Sequence, residues 1–99
     1  MDYTVYILYS KVHDRIYIGH SSHLINRFHS HNQYGIKDWT KNFRPWIVIY
    51  CEYYKAKGVA MKREKQLKSA AAREQIRIKI EAEVKKNGYI KTLKTNLGC

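Results

Sequence analysis

The stretch YTVYILYSKVHDRIYIG, Tyr3 to Gly19, decides how the chain begins to fold. Eight residues rich in Tyr, Val and Ile run into the polar break Lys11-Val12-His13-Asp14, and Arg15-Ile-Tyr-Ile-Gly19 follows at once. β-branched and aromatic residues on either side of a short polar break are the mark of a β-hairpin. The break holds no Asn-Gly or Asp-Gly pair, so a turn longer than two residues is expected around Val12 to Asp14.

Beyond Gly19 the period changes. Ser21 or Ser22 can cap a helix, and Leu24, Ile25 and Phe28 recur at helical spacing as far as His31-Asn-Gln-Tyr-Gly35, which predicts a first helix over 22–32. The segment QYGIKDWTKNFRP has no clean period and carries a Gly and a Pro, so it reads as a loop. WIVIYCEYY, from Trp46, is a third strand, and its nearly continuous apolar run predicts a central or well-covered position. A short helix is expected from Val59 to Lys68. A longer one, capped by Ser69, should run to the Asn87-Gly88 stop. Within it IRIKIE alternates like a strand, but Ala72, Ile76 and Ile80 also fall at i, i+4, i+8, and the alanines before it favour helix. The basic tail YIKTLKTNLGC has few apolar residues and reads as an appendage, which divides the chain into one α+β domain over 1–83 and a tail over 84–99.

Ninety-nine residues accommodate one domain with a thin core. Nineteen Lys and Arg against eight Asp and Glu give a formal charge of +11, which favours polyanionic partners through counterion release and puts nucleic acid first. The N-terminus has no basic leader and no apolar run approaches a membrane span, so a cytoplasmic protein with no membrane partner is expected. Cys51 and Cys99 make neither a metal spacing nor a disulfide framework.

Several polar residues fall where a core-facing stripe would otherwise be apolar. On the first predicted helix Arg27 and His31 lie one turn apart at the border of the face that carries Leu24 and Phe28. An arginine half-buried there needs an anion, which a phosphate could supply; a snorkelling arginine with a histidine near the helix end is the plain alternative. His20, His23 and His29 have no thiolate or carboxylate beside them and make a poor structural zinc site. Glu64 shares a face with Ala60 and Leu67. It is either an ion-pair partner of Lys68 at i+4 or a carboxylate reserved for a hard divalent cation whose other ligands are water and phosphate oxygens. Tyr6 and Tyr17 lie in the neighbouring hairpin strands, and nearby cations would favour the phenolate of either.

Thr4-Val5-Tyr6, then Tyr17-Ile18-Gly19, then Leu24-x-x-Arg27-x-x-x-His31, then Arg44-Pro45-Trp46 before a strand, and Arg63-Glu64-Lys65-Gln66-Leu67-Lys68 together resemble the GIY-YIG nuclease superfamily. The likeness spans roughly residues 3 to 80 and is greatest to small stand-alone bacterial members related to the nuclease module of the excision-repair endonuclease. It implies a three-stranded antiparallel sheet flanked by three helices and metal-dependent hydrolysis of phosphodiesters, with DNA as the expected partner. Carried over by position, Tyr6, Tyr17, Arg27, His31 and Glu64 are the expected catalytic residues. Glu64 would be the metal ligand and Mg2+, or Mn2+, the cofactor. His20, Lys41, Arg44, Arg63, Lys65 and Lys68 are expected to contact the nucleic acid. Thr4 stands where the name-giving members have Gly, and Ile76 where some relatives carry an asparagine near the metal glutamate. A nucleic-acid-binding module on the same fold without activity, and a protein-interaction domain, are the competing functions.

Overall fold

The structure is a computed structural model, and it describes residues 2–23, 45–90 and 93. Three strands, β1 (Tyr3–Ser10), β2 (Arg15–Ser21) and β3 (Ile47–Tyr54), are followed by two helices, α1 (Lys57–Leu67) and α2 (Ala70–Asn87). The expected helix over 22–32 and the loop after it lie largely outside the described residues, so two of the three expected helices are observed.

The hairpin forms as its sequence predicts. β1 and β2 pair antiparallel from Thr4↔Ser21 to Ser10↔Arg15, leaving Lys11 to Asp14 as the turn. Asp14 closes that turn at φ 52°, a left-handed conformation that Asp tolerates better than most residues. Its carboxylate accepts from the Tyr9 hydroxyl at 3.0 Å and from Arg77 of α2 at 3.4 Å, tying the hairpin end to the second helix.

The order in the sheet is β2-β1-β3, so β1 is central. β3 was the strand expected to be central or well covered, and it lies at an edge. Its apolar run is divided between the two faces of the sheet, which explains a composition usually seen in central strands. An irregularity opposite Ile7/Leu8 inserts Ile49, whose carbonyl instead accepts from the Leu93 amide at 2.7 Å. Ile90 and Leu93 are both buried in the core, although they belong to the segment read as a tail. α2 itself runs on to Asn87.

Period-two alternation sorts the side chains onto two faces. Val5, Ile7 and Tyr9 of β1 pack with Ile16, Ile18 and Ile49 against Ala60 and Leu67 of α1 and Ile76 and Ile80 of α2. Tyr6 and Leu8 point the other way, into a second cluster with Trp46, Tyr17, Val48 and Cys51. The ambiguous IRIKIE is helical. Ile76 and Ile80 are buried while Ile78, which a strand would place beside them, is half exposed.

Both ends of α2 are stopped as the sequence indicates. The Ser69 hydroxyl accepts from the Ala72 amide at 3.2 Å, and Gly88 at φ 81° ends the helix in a left-handed cap. Ser69→Ala is expected to cost about 1 kcal/mol, seen as a lower urea midpoint at unchanged slope. No helix among the described residues is long and apolar enough to cross a membrane.

Candidate active site

The α1 helix crosses the helix-facing side of the sheet over one transverse row of residues. His20 of β2 pairs with Val5 of β1, and Val5 pairs with Glu52 of β3, so the three stand abreast on one face. Consecutive residues of α1 reach outward to the two ends of that row. Glu64 meets His20, with Oε1 at 2.7 Å from Nδ1, and Arg63 meets Glu52.

The Arg63–Glu52 contact is bidentate: Nε donates to Oε1 at 2.8 Å and Nη2 to Oε2 at 2.9 Å. Tyr50 and Tyr54, two residues either way along β3 and therefore on the same face, also donate their hydroxyls to the Glu52 carboxylate. Burial of Glu52 opposes its ionisation, but the Arg63 guanidinium and the two tyrosine hydroxyls outweigh it and hold the carboxyl down at about 2. The hydroxyl of Tyr50 is driven the opposite way, to about 12, first by burial and then by donating to that carboxylate. Arg63 was expected to contact nucleic acid, yet it is buried and its guanidinium is committed to Glu52, because a carboxylate in a covered strand needs a cation.

At the other end of the row Glu64 is mostly buried, with 17 % of its side chain exposed, and Lys68 Nζ lies 3.4 Å from its second oxygen. The ion pair anticipated one helical turn on is therefore present, and His20 joins it from the neighbouring strand. Lys68 also lines a groove of about 430 Å³ along the outer side of β2, with Tyr17, Ile16, Ile18 and Arg73. Lys65 is exposed on the outer side of α1.

The tyrosines occupy the opposite face of the sheet. Tyr6 is fully buried, and its ring centroid lies 6.3 Å from that of Tyr17, which in turn meets Trp46 edge-on at 6.4 Å. Tyr17 is half-buried and reaches the β2 edge, so of the two it is the one the groove exposes. Gly19, paired with Tyr6 in the register, makes this arrangement possible. A Cβ there would stand 2.8 Å from the Tyr6 hydroxyl oxygen and 3.0 Å from Tyr17 Cε1. Gly19→Ala must displace a packed tyrosine and is expected to lose about 1–3 kcal/mol, with altered near-ultraviolet circular dichroism as the marker of moved aromatic rings.

Glu64, His20, Lys68 and Tyr17 are thus gathered around one strand edge, while Arg27, His31, Lys41 and Arg44 lie outside the described residues. His20 was expected only as a nucleic-acid contact, and its pairing with Glu64 was not foreseen. Arg73, which shares the groove with Lys68, was missed altogether; its proximity to the β2 edge depends on the α1–α2 turn. Ile76, at the position where some relatives carry an asparagine, is buried in the core.

Residues 2–77 match the GIY-YIG catalytic domain, and the chain belongs to that family. It is similar to the UPF0213 protein SH2523 of Staphylococcus haemolyticus (strain JCSC1435), 28 % identical over 74 residues that cover 75 % of this chain and 89 % of the relative. Among solved structures it is similar to the UPF0213 protein BH0048 of Bacillus halodurans, with 26 % identity, a TM-score of 0.48, and coverage of 77 % of this chain and 82 % of the other.

Among the described residues no three His, Cys, Asp or Glu side chains converge on one point. A lone carboxylate beside one imidazole, both reaching solvent, suits a divalent ion that keeps most of its shell as water and substrate oxygens. The donor set therefore fits the ion the family implies.

Proposed function

We propose that the protein is a divalent-metal-dependent endonuclease acting on DNA, with the edge of β2 as its reaction centre. The observation that carries this reading is the continuity from Tyr17 through the groove to Lys68, Glu64 and His20. The ion would sit at Glu64 and, when bound, supplies Lewis-acid polarisation of the phosphate and of the leaving oxygen. Tyr17, exposed to the groove, orients or deprotonates the attacking water, and Tyr6 packs behind it and fixes its ring. Lys68 and Arg73 flank the groove with positive charge and hold the phosphates beside the scissile bond. Arg27 and His31 complete the set, Arg27 as the counter-charge for the pentacovalent state and His31 as an aid to proton transfer.

The formal charge of +11 supports the choice of a polyanionic substrate. The test is cleavage of a supercoiled plasmid and of a branched oligonucleotide, each with Mg2+, Mn2+ or EDTA. Cutting that requires the metal supports the reading. DNA retardation in EDTA with no cutting under either ion would replace it with a binding module on the nuclease fold.

A further inference from the structure

We propose that His20 is a nitrogen ligand of the divalent ion held at Glu64, forming a two-donor seat that favours Mn2+ over Mg2+. The proposal rests on the reading of Glu64 as the metal carboxylate and adds a second donor from a different element. His20 Nδ1 stands 2.7 Å from Glu64 Oε1. Two neighbouring donors on an octahedral ion with bonds of about 2.1 Å lie about 3 Å apart. To become one edge of a coordination polyhedron the hydrogen-bonded pair has to open by a few tenths of an ångström, turn both donors toward a common point and give up the Nδ1 proton, which the neutral ring can carry on Nε2 instead.

Three further features suit this role. Both donors stand on regular elements whose positions are set independently: His20 by the β2 register opposite Val5, Glu64 by the α1 helix that Arg63 anchors to Glu52. The carboxylate is oriented, because Lys68 holds Oε2 and leaves Oε1 turned toward the imidazole. Their side chains are 23 % and 17 % exposed, dry enough to exclude competing water on one side and open enough to admit phosphate and water ligands on the other.

The chemical consequence is selectivity. A carboxylate with waters serves Mg2+ and Mn2+ alike, whereas an imidazole adds affinity for Mn2+ and later first-row ions and little for Mg2+. If His20 only oriented Glu64 through the hydrogen bond, its loss would weaken both ions by the same factor.

The experiment is Mn2+ titration of the whole chain followed by electron paramagnetic resonance, with Mg2+ affinity measured by competition, for wild type, His20→Asn, His20→Ala and Glu64→Gln. In His20→Asn an amide nitrogen can still donate to Glu64 Oε1, so the carboxylate keeps its orientation while the imidazole is gone. We expect His20→Asn to lose Mn2+ affinity tenfold or more and to change Mg2+ affinity less than about twofold. Spin-echo modulation from an imidazole nitrogen should be present in wild type and reduced or lost in the variant. An unchanged Mn2+ affinity in His20→Asn, an equal loss for both ions, or undiminished nitrogen modulation would overturn the proposal. Failure of His20→Ala to fold leaves the spectroscopic comparison with His20→Asn decisive. Wild-type metal affinity in Glu64→Gln would instead remove the reading on which the proposal rests, whereas loss there with none in His20→Asn would remove His20 alone.

Discussion

Arg63→Ala is expected to destabilise the protein by about 3–5 kcal/mol, because it leaves the Glu52 carboxylate, 15 % exposed, without its cation. A domain of this size has about 5–15 kcal/mol in total, so the variant should melt far below wild type or fail to fold at ordinary temperature. Arg63→Met with Glu52→Gln, which removes both charges and keeps the volume, should recover much of the loss. Thermal and urea unfolding of the two variants measures the difference. The same pair sets an acid limit. The Glu52 carboxyl is lowered from 4.5 to about 2 in the folded protein, so its contribution is fully present above pH 4.5 and is lost as pH falls toward 2. The loss amounts to roughly 3 kcal/mol across that window, and it should disappear from the pH–stability curve of the double variant.

Glu64→Gln is expected to reduce metal-dependent cleavage at least about 10³-fold while leaving the fold in place. The neutral amide keeps the shape and can still meet His20, but it gives up the charge that would hold a cation; several kcal/mol of transition-state stabilisation are at stake. Its retained DNA binding, with an unchanged salt slope, would separate loss of chemistry from loss of substrate. Cleavage at the wild-type rate by pure Glu64→Gln would move the metal elsewhere.

Much of the fold was legible wherever local chemistry decides the outcome. Two runs rich in Tyr, Val and Ile around the polar break Lys11–Asp14 predict the hairpin, Ser69 and Gly88 mark the ends of α2, and the i, i+4 pair Ile76 and Ile80 prevails over the strand-like alternation that Ile78 completes. Strand order was not legible, because β3 carries an apolar composition that fits a central strand as well as an edge strand with both faces packed. Ile90 and Leu93 sit among lysines, and their burial becomes evident only once β3 offers them a place.

The site divides along the same line. Glu64 stood out because a carboxylate interrupts the stripe from Ala60 to Leu67, a local signal. Arg63 reads in the sequence as one of the basic residues for the nucleic acid, since its pairing depends on a partner eleven residues away on the sheet. One signal was available: Glu52 is the sole charged residue in Trp46–Tyr54, and tyrosines two places either side mark a buried face that must supply it with donors. His20 carried no such signal, because its pairing with Glu64 requires both the hairpin register and the crossing of α1.

The transverse row His20–Val5–Glu52 gives the α1 helix a keyed seating. Its two adjacent charges are of opposite sign and land on opposite margins of the sheet, so the helix has one polarity in which it can be docked. A slip of one residue would turn the helix by about 100° and bring carboxylate toward carboxylate at Glu52. Any redesign of the protein that keeps this seating must therefore treat positions 63 and 64 as a single unit.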